Sequence, residues 1–168
     1  GEAAVDQSGY SVSLSSDGMT VAIGAHLNDG NGSSSGHVRI YSWDGSSWNQ
    51  LGADIDGEAA DDRSGVSVSL SSDGMTVAIG APYNDGNGSN SGHVRVYSYN
   101  ETNDTWTQLG ADIDGEAAID YSGFSGFSLS SDGTTVAIGA GNNDGNGSNS
   151  GHVRVYSYNE TNDMWNQL

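Results

Sequence analysis

One polypeptide pattern is written three times along this chain, and that repetition limits the fold more than any other feature. Gly-Glu-Ala-Ala opens at Gly1 and recurs at Gly57 and Gly115. Ser-Leu-Ser-Ser-Asp-Gly stands at 13–18, 69–74 and 128–133, Val-Ala-Ile-Gly-Ala at 21–25, 77–81 and 136–140, and Ser-Gly-His-Val-Arg at 35–39, 91–95 and 150–154. The stretch 84–104 returns unchanged at 143–163. A repeat of roughly 58 residues is the signature of stacked supersecondary units such as propellers, solenoids or arrays. The chain divides into units 1–56, 57–114 and 115–168, the third stopping before the Gly-Ala-Asp-Ile-Asp that follows Leu51 and Leu109.

Each unit reads as four strands with no helical periodicity. In the first, the strands cover 11–15, 20–25, 37–43 and about 48–51. Ser-Asp-Gly at 16–18 is a hairpin signal, because Gly accepts positive φ and Asp caps the turn. The third unit carries one extra residue in its first strand, around Gly126. An uncompensated insertion reverses the facing of all that follows, so a bulge is expected there. The low apolar content, 34 %, and the 26 glycines fit a turn-rich β-protein, since the apolar residues fall in short alternating runs.

Charge narrows the partners. Twenty-two acidic residues against four Arg give a net charge of −18. Such a surface repels phosphate backbones and anionic lipid, which argues against nucleic-acid and membrane-surface roles. Cations, basic proteins and neutral glycans remain as partners. No stretch reaches the roughly 20 apolar residues of a spanning helix, so no membrane insertion is expected. There is no cysteine, hence no disulfide or thiolate site. No signal peptide is visible in the chain.

The pattern resembles the FG-GAP repeat, the blade unit of integrin-type β-propellers. Gly80-Ala81-Pro82 matches the family's Gly-Ala-Pro, relaxed to Gly24-Ala25-His26 and Gly139-Ala140-Gly141. Ser-Gly-Tyr at 8–10, Ser-Gly-Val at 64–66 and Ser-Gly-Phe at 122–124 stand for the aromatic-glycine part in inverted order. Gly92-His93-Val94-Arg95-Val96-Tyr97 is similar to its Gly-x-Val-x-Val-Tyr strand. The Ser-Asp-Gly turn and the Val-Arg-Val-Tyr strand also resemble tryptophan-aspartate repeat propellers. Either resemblance implies an all-β fold of three four-stranded antiparallel propeller blades. It also implies an extracellular or cell-surface module for protein or glycan binding and adhesion. The family's calcium loop between the first two strands has no counterpart, because that connection is only Ser-Ser-Asp-Gly.

Propellers close with typically four to eight blades. Three blades therefore belong to a longer array or associate, most simply as a homo-oligomer of two chains giving six blades. A self-assembling repeat with no ligand is the architectural alternative. A propeller hydrolase is a further one, but no acid–base pair stands beside a nucleophile, and no enzyme activity is expected.

Two loop sets are candidate calcium sites. The connection between the second and third strands offers Asp29, Asn31 and Ser33, then Asp85, Asn87 and Ser89, then Asp144, Asn146 and Ser148. Oxygen ligands at alternate positions fit a hard cation, and ordinary turn chemistry fits them equally. The connection between units offers Asp54, Asp56 and Glu58 with Asp62, and Asp112, Asp114 and Glu116 with Asp120. On an extended chain alternate carboxylates share a face and would recruit calcium, or else form a solvated acidic edge.

Arg39, Arg95 and Arg154 hold one position in each unit. They are expected to tie blades together, paired with Asp17, Asp73 or Asp132, the alternative being a ligand-binding ring. Trp48, Trp106 and Trp165 are expected to pack between sheets, with stacking on sugars as the alternative. His37, His93 and His152 read as hydrogen-bonded residues on separate blades rather than one zinc cluster. Asn-x-Ser/Thr triplets at Asn31, Asn87, Asn100, Asn103, Asn146 and Asn159 are glycan acceptors only in a eukaryotic secretory setting.

Overall fold

The hairpin at the start of each unit shows why the repeat folds as it does. In a computed structural model describing residues 1–168, β1 (Ser11–Leu14) pairs antiparallel with β2 (Thr20–Ala25). The Asp17 carboxylate accepts from Ser15 Oγ at 2.6 Å and from Met19 N at 2.9 Å, locking the turn from within. Asp73 and Asp132 hold the equivalent turns in the same way. These aspartates are therefore spent locally, and the expected pairing of Arg39, Arg95 and Arg154 with them does not form.

Unit 1 continues through β3 (His37–Trp43) and β4 (Trp48–Gln50) in the order β1-β2-β3-β4. A fifth, two-residue strand was not anticipated: β5 (Ile55–Asp56) also pairs with β3. Gly52, at φ 65°, breaks the edge strand after Leu51, and pairing resumes three residues later. Unit 2 repeats this plan with β6 (Ser67–Leu70), β7 (Thr76–Ala81), β8 (His93–Asn100), β9 (Thr105–Gln108) and β10 (Ile113–Asp114). Unit 3 has β11 (Phe127–Leu129), β12 (Thr135–Ala140), β13 (His152–Asn159) and β14 (Met164–Gln167). The fold is all-β, three four- or five-stranded antiparallel sheets, with no helix long and apolar enough to cross a membrane.

The extra residue of unit 3 is absorbed before β11. Phe127 pairs with Ile138 as Val68 pairs with Ile79, so register is restored one residue past Gly126, whose φ is 105°. The strand itself is three residues rather than four.

The core lies between sheets. Val38, Ile40 and Ile55 of unit 1 pack on Leu70, Val77, Ile79 and Tyr97 of unit 2. Val94, Val96 and Ile113 of unit 2 pack likewise on Leu129, Val136, Ile138 and Tyr156 of unit 3. Val77 and Ile79 face one neighbour while Ala78 faces the other. A sheet covered on both sides needs a continuous apolar run, and Val-Ala-Ile-Gly-Ala supplies it.

Serines of the first strand join the sheets at their inner edge. Ser11 Oγ donates to Gly65 O and Ser67 Oγ to Gly123 O, while Leu70 N and Leu129 N donate to Ser13 Oγ and Ser69 Oγ. At Gly36, φ 76°, a Cβ would lie 2.1 Å from Ser64 O, so the Ser-Gly-His motif is the place where consecutive units touch backbone to backbone.

Candidate functional site

Every contact between consecutive units has two halves, and the chain carries both halves twice. One unit gives one half, from its third strand and the loops on either side, and the following unit gives the other. Asn31 Nδ2 donates to Gly57 O and Glu58 O, and Asn87 Nδ2 donates to Gly115 O and Glu116 O. Trp106 Nε1 donates to Leu51 O at 2.9 Å and Trp165 Nε1 to Leu109 O at 2.8 Å. The guanidinium of Arg95 donates to Asp56 O and that of Arg154 to Asp114 O.

At the two ends the same groups stand without a partner unit. Val38 and Val94 are fully buried, but their equivalent Val153 is 68 % exposed. Leu70 and Leu129 are buried, but their equivalent Leu14 is 60 % exposed. Trp48 is exposed, whereas Trp106 and Trp165 are half-buried. Gly24 and Gly80 leave room for backbone of the next unit, since a Cβ would lie 2.1 Å from Gly65 O or 2.9 Å from Gly123 O. Gly139 keeps that small side, and a Cβ there would meet only Gly126 O, at 3.3 Å. Phe127, Ala137, Gly139 and Val153 line a shallow hollow on this open face.

The loop set Asp29, Asn31 and Ser33 is held by its own hydrogen bonds. Asp29 Oδ1 accepts from Ser34 N at 2.7 Å, Ser33 O accepts from Asp61 N, and Asn31 reaches into the next unit. Asp85, Asn87 and Ser89 repeat this geometry, and Asp144 accepts from Asn149 N. For Asn146 the structure gives only Asn146 N donating to Ser150 Oγ, and Asn149 Nδ2 approaches Ser148 Oγ.

The connector acids do not gather as the alternating pattern suggests. Asp54 faces Arg39 of its own unit, its carboxylate oxygens 3.0 Å from Nε. Asp56 lies against Gly30 and Asp114 against Gly86. Asp62 Oδ2 accepts from Asn84 Nδ2 and Asp120 Oδ2 from Asn143 Nδ2, both in the following loop. Glu58 turns into the next unit, where Oε1 lies 3.5 Å from the Arg95 guanidinium and Oε2 lies 3.9 Å from His93 Nδ1. The acids of one connector are thus divided between two units. Those that meet come from successive connectors: Glu2 with Asp54, and Glu58 with Asp112.

His93 sits inside that meeting point. It is fully buried, with Nδ1 3.5 Å from Asp112 Oδ2 and neither ring nitrogen hydrogen-bonded. His37 repeats the arrangement with Asp54 and Glu2 at 3.6 and 4.0 Å. His152 has Glu116 at 3.4 Å without a second carboxylate. Sequence reasoning missed this convergence, because His, Glu and Asp lie far apart along the chain. Their common period was the available signal.

Burial pushes the His93 imidazole down to about 4, opposed by Asp112 and assisted by Arg95. Burial also raises Glu58, with Asp112, Asp62 and Asp114 adding to the rise and Arg95 opposing it. A histidine held below its unfolded value of 6.5 contributes stability that is complete above that value and is lost as pH falls toward about 4. The raised Glu58 acts oppositely above its ordinary 4.5, inside that window, and offsets part of the larger histidine effect. Unfolding midpoints should therefore fall as pH drops from about 6.5 to about 4, and His93→Gln should flatten the slope.

Three sheets joined by serine, asparagine and tryptophan bridges define a β-propeller blade array. The FG-GAP repeat family matches residues 1–41 and 53–97, just over half the chain, and this protein belongs to that family. Its structure is similar to a putative 6-phosphogluconolactonase from Bacteroides uniformis, with a TM-score of 0.61 and 15 % identity over 94 % of this chain and 38 % of that one. It is similar to Sqt1 from Saccharomyces cerevisiae, TM-score 0.60 and 16 % identity over 98 % of this chain and 35 % of that one. It is also similar to the periplasmic gluconolactonase PpgL of Pseudomonas aeruginosa, TM-score 0.56 and 15 % identity over 94 % and 38 %. At these identities the likeness is one of fold, and the chain spans less than two-fifths of each of those proteins. A comparison with curated proteins gives no sequence match.

Proposed function

We propose that this chain is a non-enzymatic propeller-building module whose end faces join head to tail with a second copy, two chains of three blades closing a six-bladed ring. The ring then acts outside the cell, or at its surface, as a binding and adhesion module for proteins or glycans, with calcium as a candidate stabiliser. The observation that carries the reading is the pair of unmatched half-interfaces. The exposed Val153 and the vacant side of Gly139 belong to one half, and the exposed Leu14 and Trp48 belong to the other. Each half is already seen satisfied twice within the chain, so the occupant that fits best is another copy of the same units. In that joint Trp48 would donate to Leu168 O, and Asn146 to Gly1 O and Glu2 O.

Two features favour a binding role over chemistry. The net charge of −18 suits basic proteins and neutral glycans. Ser11 and Ser67 hydroxyls are committed to carbonyls of the next blade rather than poised as nucleophiles. The purified oligomer should bind saturably on glycan or protein panels, in calcium or in chelator. Inertness on both panels in both conditions would contradict the binding role and leave a self-assembling ring without ligand.

A further inference from the structure

The histidine–carboxylate clusters between β3 and β5, and between β8 and β10, have a chemistry that ring closure does not use. We propose that Glu58, His93 and Asp112 form a site for a divalent transition metal of the zinc type, and that Glu2, His37 and Asp54 form a second, weaker copy.

Three observations meet at the first site. One atom from each residue, Glu58 Oε2, His93 Nδ1 and Asp112 Oδ2, lies within 4.8 Å of the others. The two separations from Nδ1, 3.5 and 3.9 Å, are close to the spacing of about 3.4 Å that ligands adopt around a tetrahedral ion with bonds of about 2.1 Å. His93 is fully buried and directs Nδ1 at both carboxylates, yet has no hydrogen-bond partner on either nitrogen. A ring nitrogen free of hydrogen bonds and directed at two carboxylates is the donor arrangement that a metal requires.

Neighbouring groups hold the ligands in place. Gln108 Nε2 donates to Asp112 Oδ1 at 2.7 Å, which leaves Oδ2 turned toward the histidine. Arg95 occupies the other side of Glu58, at Oε1, and its Nη2 donates to Asp56 O. Arg95 is the one cation against the two carboxylates Glu58 and Asp112, which leaves the cluster short of positive charge. Glu58 is half exposed and leaves a path for a metal-bound water. One imidazole with two carboxylates favours zinc, nickel or copper over calcium, which takes oxygen ligands alone.

The two copies differ in one respect. In unit 1 the Arg39 guanidinium is engaged with both Glu2 and Asp54 and competes directly with a metal. In unit 2 the salt bridge of Arg95 is to Glu58, and Asp112 Oδ2 faces the histidine. The third unit brings Glu116 to His152 without a third ligand, so two sites per chain are expected, the tighter at His93.

Calorimetric titration of the chelator-treated protein with zinc ions alone, in a calcium background, tests this. Two saturable events per chain are expected, with the ring signals of His93 and then His37 shifting in nitrogen-detected NMR while those of His26 and His152 stay. Asp112→Asn, a half-exposed and nearly isosteric change, should weaken the tighter event at least about tenfold, and His93→Gln should abolish it. Zinc binding with unchanged affinity and stoichiometry in Asp112→Asn, or the absence of saturable binding to the folded wild-type chain, would overturn the assignment. Because Asp112→Asn alone decides the question, a folding failure of His93→Gln does not shelter it.

Discussion

In the head-to-tail ring proposed above, Val153→Arg should prevent closure and leave a monomer of 17.3 kDa without loss of β-structure. Val153 is 68 % exposed in the isolated chain, so an arginine there costs the folded monomer almost nothing. In the joined ring it would occupy the place that Val38 and Val94 occupy, fully buried against the next blade. A charge buried there without a partner is worth several kcal/mol against association. Sedimentation velocity at matched concentrations, with far-ultraviolet circular dichroism as the fold control, reads both halves of the expectation. A variant that keeps the wild-type mass would place the docking surface elsewhere. Leu14→Arg should act identically from the opposite end, and a mixture of the two variants should stop at a single joint, since each keeps one good face.

Ile79→Ala should remove a large share of the stability of the fold. Ile79 is buried at the junction of units 1 and 2, where it meets Ala22, Val38 and Ile40. Removing its outer carbons from a site walled by two sheets leaves a cavity that neither sheet can collapse to fill, at a cost of about 3–4 kcal/mol. Against a total of about 5–15 kcal/mol for a domain of this kind, that is a large share. Urea unfolding should show a lower midpoint with an unchanged slope, and a loss below about 1 kcal/mol would mean that the inter-sheet core is looser than described. Ile138→Ala at the second junction should behave alike, because its surroundings repeat those of Ile79.

The repeat made the blade plan legible, because turn chemistry and strand period are local. Ser-Asp-Gly specified the first hairpin, and the strands at 20–25 and 37–43 fall where alternation and the flanking glycines put them. The insertion near Gly126 was legible for the same reason, since restoring register is a condition on two adjacent strands. β5 was not, because a two-residue strand has no period and exists only through its pairing with β3.

The partners of the charged residues were the least legible. Arg39 and Asp17 are the obvious match in a chain with few cations, yet a short-range cap satisfied Asp17 first. Arg39 found Glu2 and Asp54, which lie far from it in sequence and reach it only once their shared unit is folded. Likewise, alternation placed Asp54, Asp56 and Glu58 together on paper. The chain bends just past Gly57, which packs so tightly on unit 1 that a Cβ would lie 2.0 Å from Ser35 O, and that turn sends Glu58 into the neighbouring blade. The histidine clusters follow from the same turn, so sequence spacing alone hid them.

The decisive measurement is the native mass of the unmodified chain by light scattering after size exclusion, repeated in calcium and in chelator. Twice the chain mass of 17.3 kDa, sharp and independent of loading concentration, is the result expected of a ring of two three-bladed chains. A monomer at every concentration and in both conditions would contradict head-to-tail closure.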